Sequence, residues 1–185
     1  MRKQHSRFTY WLETLVIRLR DLLRPPSGVL LECGIKPGMT VLDFGCGPDG
    51  FSVAAATLVG TTGRVYAVDI QPGALRIVRC AAARRGLANL QAIAAGEIGR
   101  LPAASVDMAL LYDVLHIQPE ASQTGRMLET VHRLLKPAGV LSVRDHHILE
   151  ARLKAMVTGG GLFRLLEAGS SGLQFEKVET SEESA

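Results

Sequence analysis

Apolar residues near the start of the chain fall at positions 8, 11, 12, 15, 16, 19, 22 and 23. That 3.6-residue period predicts an amphipathic helix over 8–23, ended by the pair Pro25-Pro26. A second, short helix is expected around 27–33, stopping at Gly34, and "KPGM" then makes a turn. From there the pattern changes. Short runs rich in Val and Ile occur at 40–44, 64–69, 90–94, 106–111 and 139–143, and these read as strands. Helices are expected between them at about 49–59, 73–86 and 120–136, whereas 95–105 is too short to hold a long one.

Strands that alternate with helices pair in parallel through right-handed crossovers, with helices on both faces of the sheet. The end of the chain differs. "LFRLLEA" and "LQFEKVE" are separated only by "GSSG", and so short a link permits only an antiparallel hairpin. The expected fold is α/β: one doubly wound domain with an antiparallel strand at one side of its sheet. The expected boundaries are an N-terminal helical cap over 1–34, a ligand-binding domain over 35–180, and a frayed acidic tail over 181–185.

Composition narrows the class. With 185 residues, 47% hydrophobic and 21% charged, the chain suits one soluble domain with a substantial core. No apolar run reaches the roughly 18 residues of a membrane span. Cys33, Cys46 and Cys80 show no C-x-x-C spacing, which points to a reducing, cytoplasmic setting without disulfides or zinc. The net charge of +3 is too small to argue for nucleic acid. The stripe Phe8, Trp11, Leu12, Leu15 and Leu19 has three readings: packing on the core as a lid, a homodimer contact, or a membrane-surface element through Arg7, Arg18, Arg20 and Arg24.

The candidate chemistry begins with "VLDFGCGPDG", where glycines stand at 45, 47 and 50 after the first predicted strand. A G-x-G-x-x-G loop in that context lies at the crevice where strand order reverses, and it binds a nucleotide-like ligand. Two ligand classes compete. A dinucleotide would set its pyrophosphate on the loop and the helix N-terminus, close to the Asp43 carboxylate, which repels it. S-adenosylmethionine has no phosphate and carries a sulfonium and an ammonium beside a carboxylate, so the charge balance favours it. Asp69 ends the second strand, where a carboxylate can accept from both ribose hydroxyls of either ligand. Glu97, after the third strand, is placed to accept from an adenine amino group.

With these residues in order, the chain resembles a class I S-adenosylmethionine-dependent methyltransferase, of the type that includes ubiquinone-biosynthesis and arsenite methyltransferases. "VLDFGCGPDG" resembles the first motif, "VYAVDI" the second, "GEIGRLP" the adenine loop, "SVDMALLYDVLHI" the fourth strand, and "LLKPAGVLSV" the turn into the fifth. The adenine loop departs from the family, which more often has Asp where Glu97 stands. The resemblance implies a Rossmann-like seven-stranded sheet of order 3-2-1-4-5-7-6 with strand 7 antiparallel. It implies S-adenosylmethionine as cofactor, with Asp43, Phe44, Gly45, Cys46 and Gly47 at its methionine part. It further implies Asp69 at the ribose, Ile70, Glu97 and Ile98 at the adenine, and Asp113 near the methionine group.

Methyl transfer from a sulfonium is an in-line displacement that positioning alone can serve, and a base is needed only if the acceptor must lose a proton. Tyr112, Asp113 and His116 follow the fourth strand; Asp145, His146 and His147 follow the fifth. His116 and His147 are the candidate bases. Neighbouring side chains on an extended segment point to opposite faces, so His146 and His147 do not share a metal ion. The expected activity is methyl transfer to a small-molecule acceptor. The alternatives are a nicotinamide-dependent oxidoreductase and a non-catalytic S-adenosylmethionine-binding subunit. No N-P-P-Y segment or Pro-Cys pair marks a base methylase, and the scattered cysteines speak against arsenite.

Overall fold

Seven strands run in the order β3-β2-β1-β4-β5-β7-β6 in a computed structural model that describes residues 25–48, 50–117 and 120–179. They are β1 (Thr40–Phe44), β2 (Arg64–Asp69), β3 (Leu90–Ala94), β4 (Val106–Tyr112), β5 (Leu135–Arg144), β6 (Phe163–Gly169) and β7 (Gly172–Lys177). All neighbours from β3 to β5 pair in parallel, and β7 is antiparallel to both β5 and β6. This is the seven-stranded order that the resemblance implies. The helix expected over 8–23 and the tail over 181–185 lie outside the described residues.

Period-2 alternation sends side chains to two separate layers. Val41 of β1, Val65 of β2 and Met108, Leu110 and Tyr112 of β4 face α1 (Pro26–Glu32) and α2 (Phe51–Val59). On the same side, Ala67 and Cys46 pack under α3 (Pro72–Arg85). The intervening Leu42, Tyr66, Val68, Ala109 and Leu111 face the opposite layer, built from α4 (Ala121–Leu134) and α5 (Glu150–Thr158). Phe175 and Leu173 of β7 join that second core. In the first layer, Val29 and Leu30 of α1 and the following Cys33 are buried against α2, so residues 26–33 pack into the domain.

Two expectations about elements are corrected. β5 begins at Leu135, not at 139. Leu135 pairs with Val106 and Val140 with Met108, so the four residues 136–139 of β5 bulge opposite the single Asp107 of β4. The bulge accommodates Pro137, which has no N–H to donate to a ladder. It also ends α4 at Leu134. The second correction is α5, which was not anticipated. Its Leu153 and Val157 lie one turn apart facing the core, and Glu150 pairs with Lys154 across the outer face at 2.7 Å. The stretch after β3 is a 3₁₀ turn over Ala95–Arg100, as its shortness requires.

Candidate active site

Strand order reverses between β1 and β4, and a cleft opens at the carboxyl ends of these strands. Its floor is the turn after β1. Gly45 has φ +82°, and a Cβ there would lie 2.6 Å from Val114 Cγ2. Only glycine lets this turn pass beneath the loop that follows β4. The backbone N–H groups of Gly45 and Cys46 donate to Val68 O at 2.7 and 3.0 Å, tying the turn to β2. Asp69, at the tip of β2, accepts from Gly47 N–H at 2.9 Å through Oδ2 and from Gln71 N–H at 2.7 Å through Oδ1. Each of its oxygens keeps capacity for a further donor.

The cleft encloses about 560 Å³, a volume suited to a cofactor-sized molecule. Ile70, Ala95 and Ile98 form an apolar wall beyond the tips of β2 and β3, and Val114 and Ile117 form another after β4. Gln123, Arg126, Met127 and Thr130 of α4 close the remaining side. Among the described residues the charged ones in this lining are Asp69, Asp113 and Arg126.

Of the residues expected at the cofactor, Phe44, Gly45, Gly47, Asp69, Ile70, Ile98 and Asp113 line this one cleft, whereas His116 and His147 are not in its lining. Of the expected cofactor residues, three do not line it. Asp43 lies under the glycine loop rather than at its mouth, because it shares the face of β1 that carries Val41 toward α2. It is 3% exposed, and its carboxylate accepts a hydrogen bond from the Ser52 hydroxyl. Burial pushes its pKa up from 3.8 to about 6, with the Ser52 hydrogen bonds opposing and the Asp69 charge adding to the rise. Cys46 is buried among Ala67, Leu75 and Val78. The Glu97 carboxylate pairs with Arg100 at 2.6 Å outside the cleft lining.

The candidate bases cluster where β4 and β5 end. His116 Nδ1 lies 3.0 Å from Asp145 Oδ2, and the His116 and His147 rings are in contact, 4.2 Å between centroids. Asp113 has φ +51°, which turns its carboxylate across to β5; there it accepts from His146 N–H at 2.8 Å and faces His146 Nδ1 at 2.8 Å. A non-glycine residue held in the left-handed region marks a position that its surroundings over-determine. Tyr112 points the other way, into the core, where its hydroxyl meets Cys33 Sγ at 3.1 Å and Ser142 Oγ at 3.0 Å. Among the described residues no group of His, Cys, Asp or Glu is arranged to hold a metal ion.

Sequence reasoning missed the face of α4 that lines the cleft. Its signal was present: Gln123, Met127 and Thr130 recur at helical spacing.

These residues fit S-adenosylmethionine. Among the described lining residues two carboxylates stand against one guanidinium, a balance that suits a ligand with hydroxyls and two positive centres better than a pyrophosphate. Asp69 keeps acceptor capacity that hydroxyls can use, and Ile70, Ile98 and Val114 give the cleft apolar surface.

Comparison with known proteins agrees. Residues 35–168 match a family profile described as a methyltransferase domain. An arsenite methyltransferase of Halobacterium salinarum is 34% identical over 113 residues, covering 60% of this chain and 28% of that protein. A demethylmenaquinone methyltransferase of Geobacillus stearothermophilus is 29% identical over 127 residues, covering 68% of this chain and 53% of that one. The chain thus spans about half or less of the length of these curated relatives. A solved S-adenosylmethionine-dependent methyltransferase from Aquifex aeolicus superposes with a TM-score of 0.73, covering 86% of this chain and 93% of that one. Its identity of 24% makes that a likeness of fold. With the profile spanning the sheet from β1 into β6, and the glycine-floored cleft at its switch point, the chain belongs to the methyltransferase-domain family of class I S-adenosylmethionine-dependent methyltransferases.

Proposed function

We propose that this chain moves a methyl group from S-adenosylmethionine to a small-molecule acceptor. The observation that carries the reading is the charge of the cleft: Asp69 and Asp113 line it together, over a turn too tight for any residue but glycine. Bound there, the cofactor supplies a methyl group already activated by the positive sulfur. The chain's residues bind, orient and exclude water. Asp69 holds the ribose, Ile70 and Ile98 the adenine, and Gly45, Gly47 and Phe44 the methionine end, with Asp113 beside it. Asp43 and Cys46 act from beneath the turn, by fixing its shape. Glu97 reaches an adenine only by leaving Arg100. His116 and His147 stand on the acceptor side as the groups that take a proton where the acceptor has one to lose.

The small net charge of +3 favours a small acceptor over nucleic acid. The free cysteines Cys33, Cys46 and Cys80 go with a reducing, cytoplasmic setting. Among the described residues no helix is long and apolar enough to cross a membrane.

Calorimetric titration of the purified chain tests the cofactor. S-adenosylmethionine should bind in the micromolar range, and Asp69→Ala should weaken it roughly 10- to 100-fold by removing charge-assisted hydrogen bonds. NADH should give no comparable heat. Binding of NADH in place of S-adenosylmethionine would refute the reading.

A further inference from the structure

The histidines after β4 and β5 differ in what their rings can do. Asp145 has a fully buried side chain and uses both oxygens. Oδ2 accepts the backbone N–H of His116 at 3.0 Å and faces His116 Nδ1 at 3.0 Å, while Oδ1 accepts the backbone N–H of His147 at 3.0 Å. An ionised carboxylate only accepts, so the ring nitrogen that faces it carries the proton. In its neutral form the His116 ring therefore donates from Nδ1–H and carries its lone pair on Nε2. His146 lacks this freedom: Nδ1 faces Asp113 at 2.8 and 2.9 Å, and Nε2 lies 2.8 Å from the Arg144 guanidinium. His147 packs against the His116 ring, and the carboxylate beside it reaches its backbone and not its ring. Among the described histidines only His116 combines a carboxylate-fixed tautomer with an unengaged ring nitrogen. In sequence it stands between Val114 and Ile117, which line the cleft.

We propose that Asp145 is a positioning residue that holds His116 as the base, and that the acceptor is a small molecule with an acidic hydroxyl, a phenol or an enol. The inference rests on the methyltransferase reading and names its acceptor class. An amine with a free lone pair attacks without a base, and a thiol ionises close to neutrality unaided. A phenolic hydroxyl, which ionises near pH 10, is the nucleophile that gains from an imidazole at hand. The surroundings suit such a molecule, for Ile117, beside His116, and Leu149, two residues after His147, are exposed apolar residues. The hydroxyl proton passes to His116 Nε2. The oxygen forms a bond to the methyl carbon in exchange for the carbon–sulfur bond, whose electron pair stays on sulfur. The products are a methyl ether, S-adenosylhomocysteine and an imidazolium, which returns its proton to water.

Nitrogen-15 NMR of the histidine-labelled full chain reads the tautomer with neither cofactor nor acceptor present. His116 should show a protonated Nδ1 and a bare Nε2. In Asp145→Asn, whose amide can donate to Nδ1, the proton should move to Nε2. With S-adenosylmethionine and phenol, aniline and thiophenol as probes, the phenol should be methylated. Its kcat should fall roughly 100-fold in Asp145→Asn and in His116→Gln, with the KM for S-adenosylmethionine within about twofold of the parent. His116→Gln alters a partly exposed ring and keeps the test open if the buried Asp145 variant fails to fold. A bare Nδ1 on His116 in the parent chain, or aniline or thiophenol turnover that survives His116→Gln, would overturn the proposal. A chain that binds S-adenosylmethionine and shows the wrong tautomer sinks this inference alone, whereas absence of that binding sinks the methyltransferase reading.

Discussion

Asp43 shows how far one side chain's position can depart from its place in the sequence. Two residues ahead of a glycine loop, it reads as a carboxylate facing the ligand. The pleat of β1 instead turns it under α2, with 3% exposure. Loss of solvent raises its pKa to about 6, against 3.8 for the free group. The folded chain therefore holds this proton more tightly than the unfolded chain does, and the stabilisation that follows is complete below about pH 4. It is lost as pH rises through 6, at a cost on the order of 3 kcal/mol. Asp43→Asn removes the titration and leaves an oxygen for the Ser52 hydroxyl. Denaturant titrations from pH 4 to 7 should show the variant gaining stability relative to the parent by that amount. A difference that stays flat over this interval would mean that Asp43 is ionised throughout, and that Ser52 outweighs burial.

At the scale of elements, the hydrophobic pattern reveals most of the sheet and fails in specific places. The parallel strands are legible because both of their faces are buried, as in the unbroken run Val65 to Val68. The start of β5 is illegible because Pro137 and Gly139 look like a turn, and only pairing with β4 makes them a bulge. α5 is illegible for a related reason: its inward positions are few, and its worth comes from packing on β6 and the core beneath it. β7 is the element on which the far side of the sheet depends, since it lies between β5 and β6. Its inward residues alternate as Leu173, Phe175 and Lys177, and Phe175 has no exposed surface. Phe175→Ala should cost roughly 3–5 kcal/mol in denaturant unfolding, by cavity formation in the core under α4 and α5. Leu166→Ser on the edge strand β6, where the side chain is exposed, should cost less than about 0.5 kcal/mol. Equal losses at the two positions would mean that β6 is covered in solution and is not an edge.

For the whole molecule, the site is a product of topology. Its cofactor half is legible in one dimension, because Gly45, Gly47, Asp69 and Ile98 each end a strand or follow one. The pairing of Asp145 with His116 spans 29 residues and exists only because β5 lies beside β4. The same convergence has a thermodynamic consequence. The cleft is lined by the tips of β1, β2 and β4, the turn after β3 and one face of α4, so a ligand there bridges the two halves of the sheet. Because unfolding separates all five, a bound ligand is lost entirely on unfolding, and its full binding energy adds to stability. S-adenosylhomocysteine at a hundred times its dissociation constant should contribute about 2.7 kcal/mol and raise Tm by roughly 5–10 °C for a chain of this length. Asp69→Ala should lose most of that shift at the same ligand concentration. A calorimetric scan that moves with NADH and stays still with S-adenosylhomocysteine would place a dinucleotide across the switch point, and the carboxylates that line it would then need another explanation.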